Sequence, residues 1–313
     1  MCLYPKLIKN PKYIANKKNK GNIPILKDKR CEFVPVGCGK CIECMKQKSR
    51  NWMIRLQEEI KSDNSGYFVT LTFSTESLIS LSKSINLTGY ELDNEICTLA
   101  VRRFLERWRK KYKKSIKHWL VTELGHGTTE HVHIHGLLFT KNPEDINNIW
   151  NYGYVFIGDY VNIRTINYIV KYVSKVDKVH SQYVPIILCS KGIGRAYFDR
   201  TDWHLNKFKG SKTNELYQNA QGFKMALPIY YRNKIYDENE RENLWLIRLD
   251  KNTRYVCGEE IDISTSDYDY YKVLAFYRAK NQAFGYGDDS KNWDKKLYEN
   301  AKRRLKQKER LKG

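Results

Sequence analysis

Residues 131–139 read His-Val-His-Ile-His-Gly-Leu-Leu-Phe, an alternation that suits an extended chain. Side chains on a strand point to opposite faces in turn, so His131, His133 and His135 share one face. Neighbouring imidazoles there can hold a cation together, and Glu123, just upstream, can bring a charged oxygen donor to the same face. Nitrogen and oxygen donors with open positions suit a divalent ion that must also accept a phosphate oxygen. Spacing alone leaves open which two of the three histidines bind. A lone histidine on a half-exposed strand is an ordinary surface residue; three of the chain's seven at alternate positions beside a glutamate point to metal ligation.

The neighbouring segments predict what such a strand would pack with. Phe68-Val-Thr-Leu-Thr-Phe73 alternates apolar residues against Thr70 and Thr72 and reads as a strand. Trp119–Glu123 and Val132–Phe139, separated by the loop Gly125-His-Gly127, read as a hairpin, and a short strand is expected near Tyr154–Ile157. Helical periodicity runs from about Met45 to Lys61, with Trp52, Leu56 and Ile60 inward, and from about Asn94 to Lys114, with Ile96, Leu99, Phe104, Trp108 and Tyr112 inward and lysines and arginines outward. A further helix is predicted over Arg164–Lys175. The class expected is α+β, a central antiparallel sheet with flanking helices.

Three regions follow from this reading: 1–60, a basic arm and cysteine-rich stretch with a helix; 61–232, the domain with the histidines and its extension; and 233–313, a carboxy-terminal extension. The first thirty residues, rich in Lys and Asn and broken by Pro11, Gly21 and Pro24, read as an extended arm. Tyr230-Tyr-Arg232 and Leu244–Arg248 indicate more folded structure. Residues 291–312 hold ten Lys or Arg against three acidic residues and read as a basic helix or tail.

Charge narrows the partner. With 56 Lys and Arg against 35 Asp and Glu, the net charge is +21, which favours a polyanion, nucleic acid before others. No stretch reads as a secretory signal or a membrane span, so an intracellular location and no membrane partner are expected. In that compartment the eight cysteines are reduced thiols or metal ligands. The phosphate-binding GxxxxGK[ST] loop is absent, so any DNA unwinding falls to a partner.

Ile166, Ile169, Val170 and Val173 form an apolar stripe at helical spacing, and Tyr168, Lys171, Tyr172 and Lys175 fall on the opposite side. Two phenols roughly 6 Å apart with ammonium groups beside them make a reactive surface. A phenol of ordinary pKa near 10 is a poor nucleophile, and adjacent cations with a metal would favour its phenolate. In-line attack by Tyr168 or Tyr172 on a DNA phosphate leaves a 5′-phosphotyrosine and a free 3′-hydroxyl, conserving the bond energy. Two tyrosines allow a second cleavage while the first is occupied.

Cys38, Cys41 and Cys44, at three-residue spacing, form a candidate structural Zn2+ site, with Cys31 or Cys2 as a fourth ligand. Lys191-Gly-Ile-Gly194-Arg195 reads as a flexible basic loop able to approach DNA, with an ordinary turn as the alternative.

Together, His133-Ile-His135, the strand Phe68–Phe73 and Tyr168-Ile-Val-Lys-Tyr172-Val-Ser-Lys175 resemble the motifs of the HUH endonucleases. Met1-Cys-Leu, Cys38-Gly-Lys-Cys-Ile-Glu-Cys44, Ser49-Arg-Asn-Trp52, Lys191-Gly-Ile-Gly194 and Pro228-Ile-Tyr-Tyr231 further resemble the replication initiators of small single-stranded DNA phages, the gokushovirus-like Microviridae. The resemblance runs from the amino terminus to about residue 232. It implies an RRM-like, ferredoxin-like sheet with the tyrosine helix laid across the histidines. It also implies His133 and His135 as paired metal ligands, Glu123 as the acidic third, Tyr168 and Tyr172 as nucleophiles, and Mg2+ or Mn2+ as the ion. His131 stands where relatives often have another residue and reads as a phosphate contact or a support behind the ligands. The implied activity is rolling-circle initiation on single-stranded and double-stranded circular phage DNA at its origin, in the cytoplasm of an infected bacterium, with a host helicase and polymerase. The competing readings are a transposase or plasmid relaxase of the same superfamily, and a noncatalytic zinc-containing DNA-binding protein.

Overall fold

The alternating segment forms the strand Val132–Phe139, paired antiparallel with Lys117–Leu124 in a register that sets Glu123 opposite His133 and Val121 opposite His135. The computed structural model from which this is read describes residues 2–126, 130–158, 160–219, 221–290 and 293–312; Gly127 of the expected hairpin loop and Met1 of the opening motif lie outside them. On its other side the histidine strand pairs with Gly66–Leu71, placing Thr70 opposite His135. Val155–Ile157 and Ile187–Cys189 close the edges of a five-stranded, wholly antiparallel sheet. The α+β class expected from the sequence is the one observed.

Period-two alternation gives this sheet two unlike faces. On one, Val69, Leu71, Leu120, Ile134 and Leu138 pack against Phe104 and Trp108 of the helix Tyr90–Tyr112 and against Trp150. That helix buries Ile96, Leu99, Phe104 and Trp108 and exposes Arg102, Arg103, Arg109, Lys110 and Lys111, as its periodicity predicts. On the other face Trp119, Val121, Leu137 and Phe139 pack against Leu56, Ile166, Ile169, Val170 and Val173. Each large side chain so buried stabilises the fold by about 1.5–3 kcal/mol, so strands with apolar cover on both faces have little freedom to slip. Further along this second face the apolar residues give way to Thr70, Glu123, His133 and His135. A Cβ at Gly136 would overlap the carbonyl oxygen of Trp119, which makes glycine necessary at the centre of the hairpin.

The chain packs as two compact units, each made of two separate stretches: Met1–Asn51 with Arg200–Ser290, and Trp52–Asp199 with Lys291–Gly313. The boundary falls inside the helix Ile42–Ser62. The five-stranded sheet belongs to the second unit. In the first, Lys6–Lys9 pairs with Phe33–Val36, and Leu3, Tyr4, Ile42, Val256, Ile261 and Leu274 form a core. The extended arm expected at the amino terminus is folded in its first part, where Leu3, Tyr4 and Tyr13 are buried and Lys6–Lys9 is paired, whereas residues 14–30 run largely exposed.

Two other expectations change. The helix predicted over Arg164–Lys175 is two short ones, Ile163–Ile169 and Lys171–Ser174, that meet at Val170; the β-branched Ile169, Val170 and Val173 weaken helical continuity there. Residues 191–195 form an anchored turn. Ile193 is buried, its carbonyl accepts from the Arg55 guanidinium, and the Gly194 amide donates to Glu59. Gly194 has φ +81 and no room for a Cβ beside Arg55, so its glycine serves close packing in place of a loop reaching for DNA.

Candidate metal centre and tyrosine pair

Glu123 Oε2 lies 3.2 Å from His133 Nε2 and 3.0 Å from His135 Nε2, and the three donor atoms lie within 4.8 Å of one another. The register creates this: Glu123 and His133 are cross-strand partners, and His135 is two residues along the same face. His131 is elsewhere, its Nδ1 3.2 Å from the Phe73 carbonyl. Of the three histidines that spacing left equivalent, the geometry brings His133 and His135 to Glu123 and leaves His131 apart.

The atoms behind the trio orient it. His133 Nδ1 lies 3.3 Å from the His131 carbonyl and His135 Nδ1 3.0 Å from Thr70 Oγ1. The His131 carbonyl can only accept, which directs His133 Nδ1 toward it as a donor and turns Nε2 to Glu123. Burial raises the Glu123 carboxyl, but hydrogen bonds with His133, His135 and Lys175 outweigh it and hold the group well below the usual carboxylate range. Burial, with a smaller opposing effect of Glu123, lowers His135, keeping the imidazole in its neutral, ligating form. A carboxylate oxygen and two imidazoles fit a divalent cation, and partial exposure of the three side chains, at 14, 22 and 10%, leaves a side open to a further ligand.

The tyrosines stand over this centre. The Tyr172 ring stacks on His135 with centroids 4.3 Å apart and planes 7° from parallel. Tyr172 Oη donates to Tyr168 Oη over 2.6 Å, so the two phenol oxygens occupy one place. Tyr168 is half exposed and its ring meets Phe68 edge-on. Burial, the hydrogen bond to Tyr168 and the Glu123 charge push the Tyr172 phenol well above its ordinary value. Lys175 differs from expectation: it follows the second short helix in extended conformation, and its ammonium pairs with Glu123 while lying 5.7 Å from the Tyr172 ring centroid. Lys171 is exposed on that helix. Thr70 was missed as a functional residue; its place in the alternating strand was visible, but its partner His135 follows only from register.

A second cluster lies in the other unit, formed by Cys2, Cys38, Cys41 and Cys44, whose sulfurs also fall within 4.8 Å of one another. Cys2, not Cys31, completes it; Cys31 is buried apart from the cluster, where burial and then the Glu242 charge push its thiol up. The Tyr4 and Cys38 amides donate to Cys2 Sγ, and the Cys41 amide donates to Cys38 Sγ. Gly39, at φ +76, supplies the left-handed residue of the turn between Cys38 and Cys41. A hydrogen bond from Cys44 lowers the Cys41 thiol to about 4 despite burial, the behaviour of thiols crowded as ligands are.

Comparison with known proteins finds similarity at low identity. Residues 66–177 match the family model described as a replication-associated protein of the ORF2 type. The chain is 28% identical over 193 residues to replication-associated protein ORF2 of Spiroplasma virus 4, covering 52% of this chain and 57% of that protein. It is 26% identical over 238 residues to replication-associated protein VP4 of Bdellovibrio phage phiMH2K, covering 67% of this chain and 69% of that protein. The chain thus spans little more than half the length of the first of these relatives. No solved structure matches it. Glu123, His133, His135, Tyr168 and Tyr172 all fall inside the matched segment, and the chain is a low-identity relative of phage replication-associated proteins of the ORF2 kind.

Proposed function

We propose that this chain initiates rolling-circle replication of phage DNA by nicking one strand at the origin through a phosphotyrosine and later transferring that strand to close a circle. The observation that carries the reading is the convergence of Glu123, His133 and His135 beneath two phenol oxygens 2.6 Å apart. His133, His135 and Glu123 would hold Mg2+ or Mn2+, which when bound supplies Lewis-acid polarisation of the phosphate. The protein's part is positioning: the ladder fixes the ligands, the stack on His135 holds Tyr172, and Tyr172 donates to Tyr168. Tyr168 accepts that hydrogen bond and is the more exposed of the two, so Tyr168 attacks first. The tyrosine oxygen bonds to phosphorus, the bond to the 3′-oxygen breaks, and the phenol proton ends on the released 3′-hydroxyl. Tyr172 is left for the second cleavage, with Lys171 exposed to draw in the strand and Lys175 holding Glu123.

The substrates are single-stranded and double-stranded circular phage DNA, bound by a chain of charge +21, in the cytoplasm of an infected bacterium whose helicase and polymerase do the unwinding and synthesis. No helix among the described residues is long and apolar enough to cross a membrane. Incubation with single-stranded origin DNA and Mn2+ is expected to give a covalent protein–DNA adduct that the Tyr168→Phe/Tyr172→Phe double variant does not form. An adduct persisting in that variant overturns the assignment, and DNA binding without any adduct from the unaltered protein leaves the noncatalytic reading. The four cysteines are proposed to hold a structural Zn2+, tested by metal analysis of protein purified without added zinc.

A further inference from the structure

The helix Trp293–Arg310 lies outside the segment matched by the family model but in the same compact unit as the site. It docks with unusual polarity. Glu299 and Arg303 are buried, whereas Leu297, Tyr298 and Leu305 are more than 60% exposed at 64, 70 and 63%. A tail helix that only enlarged a core would bury its leucines. This one is held by hydrogen bonds to particular groups: at the start of the helix Tyr90–Tyr112, where Gln307 pairs with Gly89 and Asn300 accepts from the Tyr90 amide, and at two places that flank the site.

The first place is the residue before His131. Arg303 forks onto Asp93 at 2.8 and 2.9 Å, and its guanidinium also reaches the Glu130 carbonyl at 2.9 Å and carboxylate at 3.3 Å. Lys306 lies 3.4 Å from the Glu130 carboxylate, and Arg310 donates to the Glu130 carbonyl. Glu130 has φ +46, a conformation that a non-glycine residue holds only when its surroundings impose it. The second place follows the tyrosine segment. Glu299 accepts from Ser181 Oγ at 2.7 Å and from the Gln182 amide at 2.9 Å. Glu130 and His180 also meet each other, at 3.6 Å.

We infer that this carboxy-terminal helix is a clasp that sets the histidine strand and the tyrosine segment at their working separation, with Arg303 positioning the strand through Glu130 and Glu299 positioning the tyrosines through Ser181 and Gln182. The inference rests on the nicking function proposed above. In-line attack tolerates little misplacement between nucleophile and ligands. The tyrosines sit on two helices of seven and four residues, too short to hold themselves. Anchoring the chain on both sides supplies what those helices lack.

The test uses the full chain with Arg303→Met and Glu299→Gln. Arg303→Met is expected to speed hydrogen exchange over 130–133 and weaken Mn2+ binding about tenfold. Glu299→Gln is expected to speed exchange at the Gln182 amide and slow adduct formation about tenfold at saturating Mn2+, with Mn2+ affinity and the KM for origin DNA unchanged. Arg310→Gln replaces Arg303→Met if that variant does not fold. This split separates positioning from bulk stability: variants that lose Mn2+ affinity and rate together, or that retain both with unchanged exchange, overturn the clasp. Should the unaltered protein form no tyrosine adduct, the nicking reading fails, and exchange at 130–133 and 182 with Mn2+ affinity still decides the clasp.

Discussion

Two clusters of metal-ligating type, one in each unit, are built in opposite ways. Glu123, His133 and His135 stand on adjacent strands at ladder positions, mix nitrogen with oxygen, and stay partly open beside two phenols. Cys2, Cys38, Cys41 and Cys44 bring four sulfurs together across a turn and a distant chain start. A closed set of four thiols is the form of a structural site, and three mixed ligands with an open side the form of a reactive one. Both clusters are part-buried to a similar degree, so it is ligand number and chemistry that separate the two roles proposed for them.

The largest expected effect breaks the first cluster alone. His133→Ala/His135→Ala should lower adduct formation by roughly 10^3-fold, the loss of several kcal/mol of transition-state stabilisation; gel assay of the adduct checks it, and a rate near that of the unaltered protein would dissolve the contrast. Chelation should separate the clusters next. Brief EDTA is expected to stop nicking reversibly, with Mn2+ restoring it, while elemental analysis still finds bound zinc, because a site with all four positions taken by thiolates releases its ion more slowly than one open to solvent. Cys2→Ser should then lose zinc and lower the midpoint of thermal unfolding, whereas Cys31→Ser should keep its zinc; equal zinc in both would return Cys31 to candidacy. The smallest effect sharpens the reactive centre: Thr70→Val removes the hydroxyl beside His135 Nδ1 and should weaken Mn2+ binding about 10-fold by calorimetry, with little change in unfolding midpoint.

Much of the reactive centre was legible because its signals are local. The alternation over 131–139 and the stripe Ile166, Ile169, Val170 and Val173 each state which residues share a face, and the structure buries that stripe; Tyr172, expected on the opposite side, instead packs beside the same cluster and stacks on His135, because the helix breaks at Val170. The helix boundaries came within a few residues, except where the β-branched residues around Val170 split one helix into two. The amino-terminal arm misled because its apolar residues follow neither helical nor strand periodicity among the lysines, asparagines and breakers, and Leu3, Tyr4 and Tyr13 are too scattered to announce a core.

By itself the sequence determined the class of the sheet, the face on which the histidines stand, the pairing of tyrosines one helical turn apart, and the similarity to phage replication-associated proteins, since each depends on order over a few residues. Tertiary structure alone decided that Glu123 meets His133 and His135, that Thr70 orients His135, that Cys2 and not Cys31 joins the other cysteines, and that Arg303 turns inward to Glu130. Those contacts join residues from 10 to 173 positions apart. No local periodicity encodes them; strand register and the packing of distant segments do.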